Sequence, residues 1–292
     1  MEQRVRALGS ARFVLGEGPY WDGPNRTLWW VDLDVGDLCR ARLDQPEALE
    51  RIPIGPTLTF AIPCRSGGLV VGRWNTVEHI HDDGTVTVLA DVDKGDPDVR
   101  LNDGACDARG RLVFGTMNRT RALRTGDLWS LAPDGTLTHL RDGVSLSNGI
   151  DWSPDGATLY HVDSDAQNVT AFDYDLDTGA ATNPRVLIDV PPEQGLPDGL
   201  AVDAAGTLWI AMHAGAAVRS YSPAGDPSGV LDLRDLPVTG PTSVAFAGDD
   251  LRTLAITSST KRLPEGLDQP LAGAVLLHDQ DTPGLPAHPF GA

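Results

Sequence analysis

The stretch Ser153-Pro-Asp-Gly-Ala-Thr-Leu-Tyr-His-Val-Asp163 reads as a tight turn running into a short strand. Pro, Asp and Gly supply the backbone angles a hairpin needs, and the apolar run that follows is too short for a helix. The same pairing of turn and strand recurs along the chain. Asp107-Ala-Arg-Gly110 precedes Arg111-Leu-Val-Phe-Gly115, and Asp203-Ala-Ala-Gly206 precedes Thr207-Leu-Trp-Ile-Ala211. Thr27-Leu-Trp-Trp-Val-Asp32, Gly68-Leu-Val-Val-Gly72 and Thr253-Leu-Ala-Ile-Thr257 complete the series. Their leucines fall at 28, 69, 112, 159, 208 and 254, with spacings of 41, 43, 47, 49 and 46 residues. One supersecondary unit per period of this length, six times over, predicts an all-β six-bladed β-propeller with four antiparallel strands per blade. A β-sandwich also strings short strands between turns, but has no reason to repeat one grammar six times. No linker or composition break interrupts residues 1–292, which reads as one domain. Val5-Arg-Ala-Leu8 is placed to supply the outer strand of the last blade and close the ring.

Polar residues fall on the same grid. Glu17 lies 11 residues before Leu28, Asp103 9 before Leu112, Asn148 11 before Leu159 and Asp198 10 before Leu208. Equal phase in a propeller means convergence on the axis, at the entry to the innermost strands. Carboxylates gathered there repel one another unless a cation neutralises them. Oxygen ligands suit hard ions such as Ca²⁺, Mg²⁺ or Mn²⁺. The competing reading is local: Asn102-Asp-Gly, Asn148-Gly and Asp198-Gly are also common turn dipeptides. Each is followed by a second turn before the repeated strand, and Glu17 is a poor turn residue, so as a set they favour the cation.

At these positions the chain resembles the senescence-marker protein/gluconolactonase/regucalcin family. The matching motifs are Leu15-Gly-Glu-Gly-Pro-Tyr-Trp21, Arg100-Leu-Asn-Asp-Gly104, Gly115-Thr-Met117, Ser147-Asn-Gly-Ile-Asp-Trp-Ser153, Tyr160-His-Val-Asp-Ser164, Pro197-Asp-Gly-Leu200 and Gln269-Pro-Leu-Ala-Gly273. The resemblance implies a six-bladed propeller that opens sugar lactones to sugar acids with one divalent cation. Ca²⁺ is the first choice, with Mg²⁺, Mn²⁺, Zn²⁺ and Fe²⁺ admitted. Carried over by motif, Glu17, Asn148 and Asp198 would be the metal ligands, and Asp198 the base that activates water. Arg100 and Asn102 would contact the substrate, with Asp103 in a supporting role. His213 stands where members often place an aromatic residue at the channel mouth, and is a candidate substrate contact. Some members carry an acidic residue shortly after Gly-Thr-Met; here Asn118-Arg119-Thr120 has none. That leaves the sugar open.

Bulk properties exclude other classes. A net charge of -18 and pI near 4.6 argue against nucleic acid or anionic membrane as a partner. Cys39, Cys64 and Cys106 are scattered, without CxxC spacing, and read as thiols of a reducing compartment. The start, Met1-Glu-Gln-Arg-Val-Arg6, lacks the apolar core of a secretory signal, and no apolar run could span a bilayer. The expectation is a cytoplasmic enzyme on a small-molecule sugar lactone. Rival readings are a related metal-dependent esterase or phosphotriesterase, and a non-catalytic calcium-binding regulatory propeller. A scaffold propeller of the WD40 type lacks its Gly-His and Trp-Asp signatures. His79 and His81 share one strand face and read as structural.

Overall fold

A computed structural model of the chain describes residues 5–92, 95–236, 238–261 and 268–291. Met1 to Arg4, part of the N-terminal stretch read above, lie outside them. Six four-stranded antiparallel sheets form a ring: a six-bladed β-propeller. Besides strands, the described residues hold one short 3₁₀ turn, Pro192–Gln194. None of their helices is long and apolar enough to cross a membrane. Each repeated leucine starts or nearly starts the second strand of its blade. Leu28, Leu112, Leu159, Leu208 and Leu254 are fully buried, and Leu69 partly so. They sit between the faces of neighbouring blades. Phe60, Val70 and Val77 of blade two, for example, pack with Leu101, Leu112 and Phe114 of blade three. Each such side chain contributes about 1.5–3 kcal/mol by leaving water, which is why this position repeats.

The ring is closed by the chain's beginning. Arg6–Ala7 adds the outer strand of blade six, pairing Arg6 with Leu277 and Ala7 with Leu276. The strand expected around Val5–Leu8 forms, but only over two residues. The last residues do something the sequence did not announce. They cross the far end of the channel, with hydrogen bonds from Leu285 N to Val202 O (3.4 Å), Phe290 N to Pro63 O (2.9 Å) and Gly291 N to Gly110 O (3.0 Å).

The innermost strands are Gly16–Asp22, Leu58–Pro63, Val99–Cys106, Ser147–Trp152, Leu196–Val202 and Pro241–Ala247. All six break register with the second strand near their beginning: between Glu17 and Tyr20, Leu58 and Phe60, Leu101 and Gly104, Ser147 and Ile150, Pro197 and Leu200, Pro241 and Ser243. A bulge leaves a residue unpaired and re-aims its side chain. Asn102, Asp103, Asn148 and Asp198 fall inside these breaks. The Asn-Gly and Asp-Gly dipeptides are therefore not turns; they are bulges within strands.

Gly149 and Gly199, which follow Asn148 and Asp198, let neighbouring inner strands approach. A Cβ on Gly149 would lie 2.5 Å from Leu200 N and 2.8 Å from Asp198 O. Those are backbone atoms of blade five and can yield only if the blades separate. Gly149→Ala should destabilise the protein by about 1–3 kcal/mol, as overpacking does, and lower the melting temperature by several degrees. Thermal unfolding followed by circular dichroism checks this; an unchanged transition would show that the blades can part.

Candidate metal and substrate site

The bulges of blades four and five deliver Asn148 and Asp198, and Glu17, paired with Val31 at the edge of the bulge in blade one, joins them in one pocket at the mouth of the channel, a cavity of about 390 Å³. Arg100, Asn102 and His213 line the same pocket. Six of the seven residues singled out in the sequence are thus brought together. Asp103 is not among the lining residues. It lies deeper, on a smaller cavity of about 120 Å³ at the other end, which the tail covers with Leu285 to His288. There its Oδ1 accepts the Gly104 N–H at 2.7 Å, and burial pushes its pKa up to about 6. Asp151 shares that cavity, accepts the Trp152 and Val202 N–H groups, and is pushed by burial up to about 7.

One hydrogen-bond relay ties blades three, four and five. Arg100 Nη1 donates to Asn102 Oδ1 (2.8 Å) and Leu101 O (2.6 Å). Asn102 Nδ2 donates to Asn148 Oδ1 (2.8 Å) and Ser147 O (2.7 Å). Asn148 Nδ2 donates to Ser164 Oγ (2.8 Å), which donates to Pro197 O at 2.5 Å. Both hydrogens of Asn102 are thereby committed within the protein. The relay fixes which way Asn148 faces: its amide nitrogen is held by Ser164, so its oxygen turns toward Asn102 and the channel. Ser164 was visible in a motif but had no role assigned, because a hydroxyl acting behind a ligand leaves no charge or spacing signature. Behind Asn148, Ser147 Oγ meets His161 Nε2 at 2.9 Å. Burial pushes His161 down to about 3, so it is neutral there.

The electrostatics point to a missing positive charge. Burial, with Asp198 and Asp103 as like charges, raises the Glu17 carboxyl well above the usual range. Burial and Asp103 do the same to Asp198. Asp198 Oδ1 is buried and has no hydrogen-bond partner. Two carboxylates and one amide oxygen, with an orphaned buried oxygen among them, are the donor set a hard divalent cation takes. Among the described residues no cluster of three His, Cys, Asp or Glu side chains could hold a metal, so the amide oxygen is needed to complete a set.

Sequence reasoning missed a ring of further charges at the mouth, because they sit on loops that share no phase of the repeat. Asp34 pairs with Lys261, and Arg121 pairs with Asp165. Arg119 and Trp74 also line the pocket. Burial lowers Arg100 to about 10, and the like charges of Arg119 and Arg121 act in the same direction.

Elsewhere, His79 is buried with Nε2 2.8 Å from Gly67 O, and His81 Nε2 is 3.0 Å from Thr87 Oγ1. Their roles are structural, in the third strand of blade two and just beyond it. Cys39, Cys64 and Cys106 are free thiols, the first and last buried.

Comparison with known proteins gives these features a context. Regucalcin from Gallus gallus is 34% identical over 302 residues, covering 98% of each chain. A putative sugar lactone lactonase, YvrE, from Bacillus subtilis is 31% identical over 284 residues, covering 96% of each. Among solved structures, a calcium-binding protein, regucalcin, from Agrobacterium tumefaciens superposes with a TM-score of 0.91 at 26% identity, covering 99% of this chain and 98% of that one. Residues 15–260, nearly the whole ring and every residue of the pocket except Lys261, match the SMP-30/gluconolactonase/LRE-like region. The chain belongs to the SMP-30/gluconolactonase/LRE-like family.

Proposed function

We propose that this protein hydrolyses a sugar lactone to the sugar acid, using one divalent cation held by Glu17, Asn148 and Asp198. The observation that carries the reading is the half-buried Glu17 and buried Asp198 carboxyls, both with raised proton affinity, beside an amide oxygen held by the relay. Membership of a gluconolactonase family supports it, as does the name of the Bacillus relative. A cation held by Glu17, Asn148 and Asp198 would supply Lewis-acid polarisation of the lactone carbonyl.

The protein's own groups do the rest. Asp198 takes the proton of the attacking water. The new C–O bond forms at the carbonyl carbon, the ring C–O bond breaks, and Asp198 returns the proton to the ring oxygen. The product is an open hydroxy acid. Arg100 lines the pocket; its Nη1 is committed to Leu101 and Asn102, and its Nε and Nη2 donors fix the sugar's oxygens. His213 lines the same pocket and orients the ring. Asn102, with both its hydrogens committed, acts as a positioning residue for Asn148.

Acid release from pentono- and hexonolactones, followed in a pH-stat, tests this. The chelated protein should be inactive, and restoring Ca²⁺, Mg²⁺, Mn²⁺, Zn²⁺ or Fe²⁺ in turn should restore turnover with at least one. A second reading is favoured by the description of the Agrobacterium structure as a calcium-binding protein. Cation binding without acid release from any lactone would select it. Faster turnover of phosphotriesters than of lactones would select an esterase.

A further inference from the structure

The acidic chain, with 41 Asp and Glu against 23 Lys and Arg, gathers positive charge at the one mouth that leads to the cation site. Arg100, Arg119, Arg121 and Lys261 line it, against Glu17, Asp34 and Asp198. Glu17 and Asp198 are balanced by the divalent cation they would hold. Asp34 is matched by Lys261, and Arg121 by Asp165. Two guanidinia remain, Arg100 on the floor and Arg119 at the rim. A neutral sugar ring would leave that surplus uncompensated.

Arg119 is also held in a particular way. It follows directly on the strand Leu112–Asn118, and its backbone N–H donates to Asp98 O at 2.8 Å. Its guanidinium lies over the Trp74 indole, 4.9 Å from the ring centre. Among the described residues it has no carboxylate partner. A cation–π contact of this kind holds the guanidinium through the ring's face without using up its N–H donors. Those donors match the two oxygens of a carboxylate.

From this arrangement we infer that the preferred lactone carries a second, anionic group, a carboxylate at the far end of the sugar, received by Arg119 on its Trp74 platform. The substrate would be the lactone of a sugar diacid or of a comparable acidic sugar, and hydrolysis would yield a product with two carboxylates. The inference rests on the lactonase reading for its substrate, but the subsite can be tested without turnover.

Two measurements are made on the cation-loaded protein. In the first, kcat/KM is compared for a hexonolactone, the lactone of the matching six-carbon diacid, and the 6-phosphorylated hexonolactone. In the second, calorimetric titration compares binding of the ring-opened monoacid and diacid. The diacid lactone should be preferred, and the diacid bound more tightly, by at least about tenfold, the lower range for a charge-assisted pair. Arg119→Ala should bring both ratios close to one, and Arg119→Lys, which keeps charge but not the fork, to a value between. Arg109→Ala serves as a charge-matched control, since Arg109 pairs with exposed Asp177 at 2.7 Å and is not in the pocket; it should leave the ratios unchanged. Preference for the phosphorylated lactone, lost in Arg119→Ala, would support the anionic subsite and name phosphate as its ligand. Equal binding of monoacid and diacid, in the wild type and in Arg119→Ala, would overturn the subsite even if lactones are hydrolysed. Arg119-dependent diacid binding without hydrolysis of any lactone would support the subsite and refute the lactonase reading.

Discussion

Asp198→Ala is expected to lower kcat for lactone hydrolysis by about 10³–10⁴-fold. The change removes a proton acceptor, worth about 10²–10⁴-fold where one is well placed, and one of three oxygens offered to the cation. It should not harm the fold. Asp198 is 8% exposed, its Oδ1 has no partner, and its charge opposes those of Glu17 and Asp103. In chelated protein the variant should therefore melt no lower than wild type, a result that separates chemistry from stability. Asp198→Asn keeps shape and one oxygen but cannot accept the proton. It should retain weakened cation binding, seen by calorimetry, while turnover falls nearly as far. Full activity in Asp198→Ala would remove Asp198 from the mechanism.

The second large effect is on stability, and its sign follows from the raised carboxyls. A carboxyl whose folded pKa lies above its unfolded value of about 4 adds stability below that value and loses it as pH rises through the folded pKa. Asp103 is raised to about 6 and Asp151 to about 7, with Glu17 and Asp198 raised in the same direction. Chelated protein should thus become less stable as pH rises from about 4 through 7. His161 opposes this: lowered to about 3, it favours the fold increasingly as pH rises from 3 to its ordinary 6.5. Burial lowers His278 and His288 in the same sense, and the four raised carboxyls set the sign against these three imidazoles.

A cation that requires ionised Glu17 and Asp198 reverses the trend at neutral pH. At a hundred times its dissociation constant it contributes about 2.7 kcal/mol, or roughly 4–5 °C in melting temperature for a chain of this size. Binding should release protons, measurable as a buffer-dependent heat. Differential scanning fluorimetry at pH 5 and 7.5, with and without cation, checks the sign. A smaller cation-induced shift at the higher pH would contradict it.

The blades were legible because burying a leucine between two sheets is needed once per period, and five of the six become fully buried. The ligand phase was legible for a related reason, since every inner strand enters the channel at the same point of the repeat. What Asn148-Gly149 and Asp198-Gly199 are doing was not, because a bulge and a turn draw on the same residues. Only pairing shows that these lie within strands. Asn102 read as a substrate contact, but its two donors are taken up by Ser147 and Asn148, an arrangement set by two neighbouring blades and invisible in either alone. Arg119, Arg121, Asp34 and Lys261 stood outside the grid altogether. Loops carry no periodicity, so residues that set the charge of the mouth had no position from which to be read.

The two-residue seam between Arg6–Ala7 and Leu276–Asp279 has a consequence for biosynthesis. During translation the strand Arg6–Ala7 must wait, unpartnered, until Leu276 and Leu277 have left the ribosome. Blades one to five can form their sheets in order, but the circle stays open until the final sheet meets its earliest residues. Glu17 and Asp198 come from opposite sides of that gap in synthesis. A growing chain therefore cannot assemble a finished centre partway through, and ion capture becomes a late event that reports the closing of the circle.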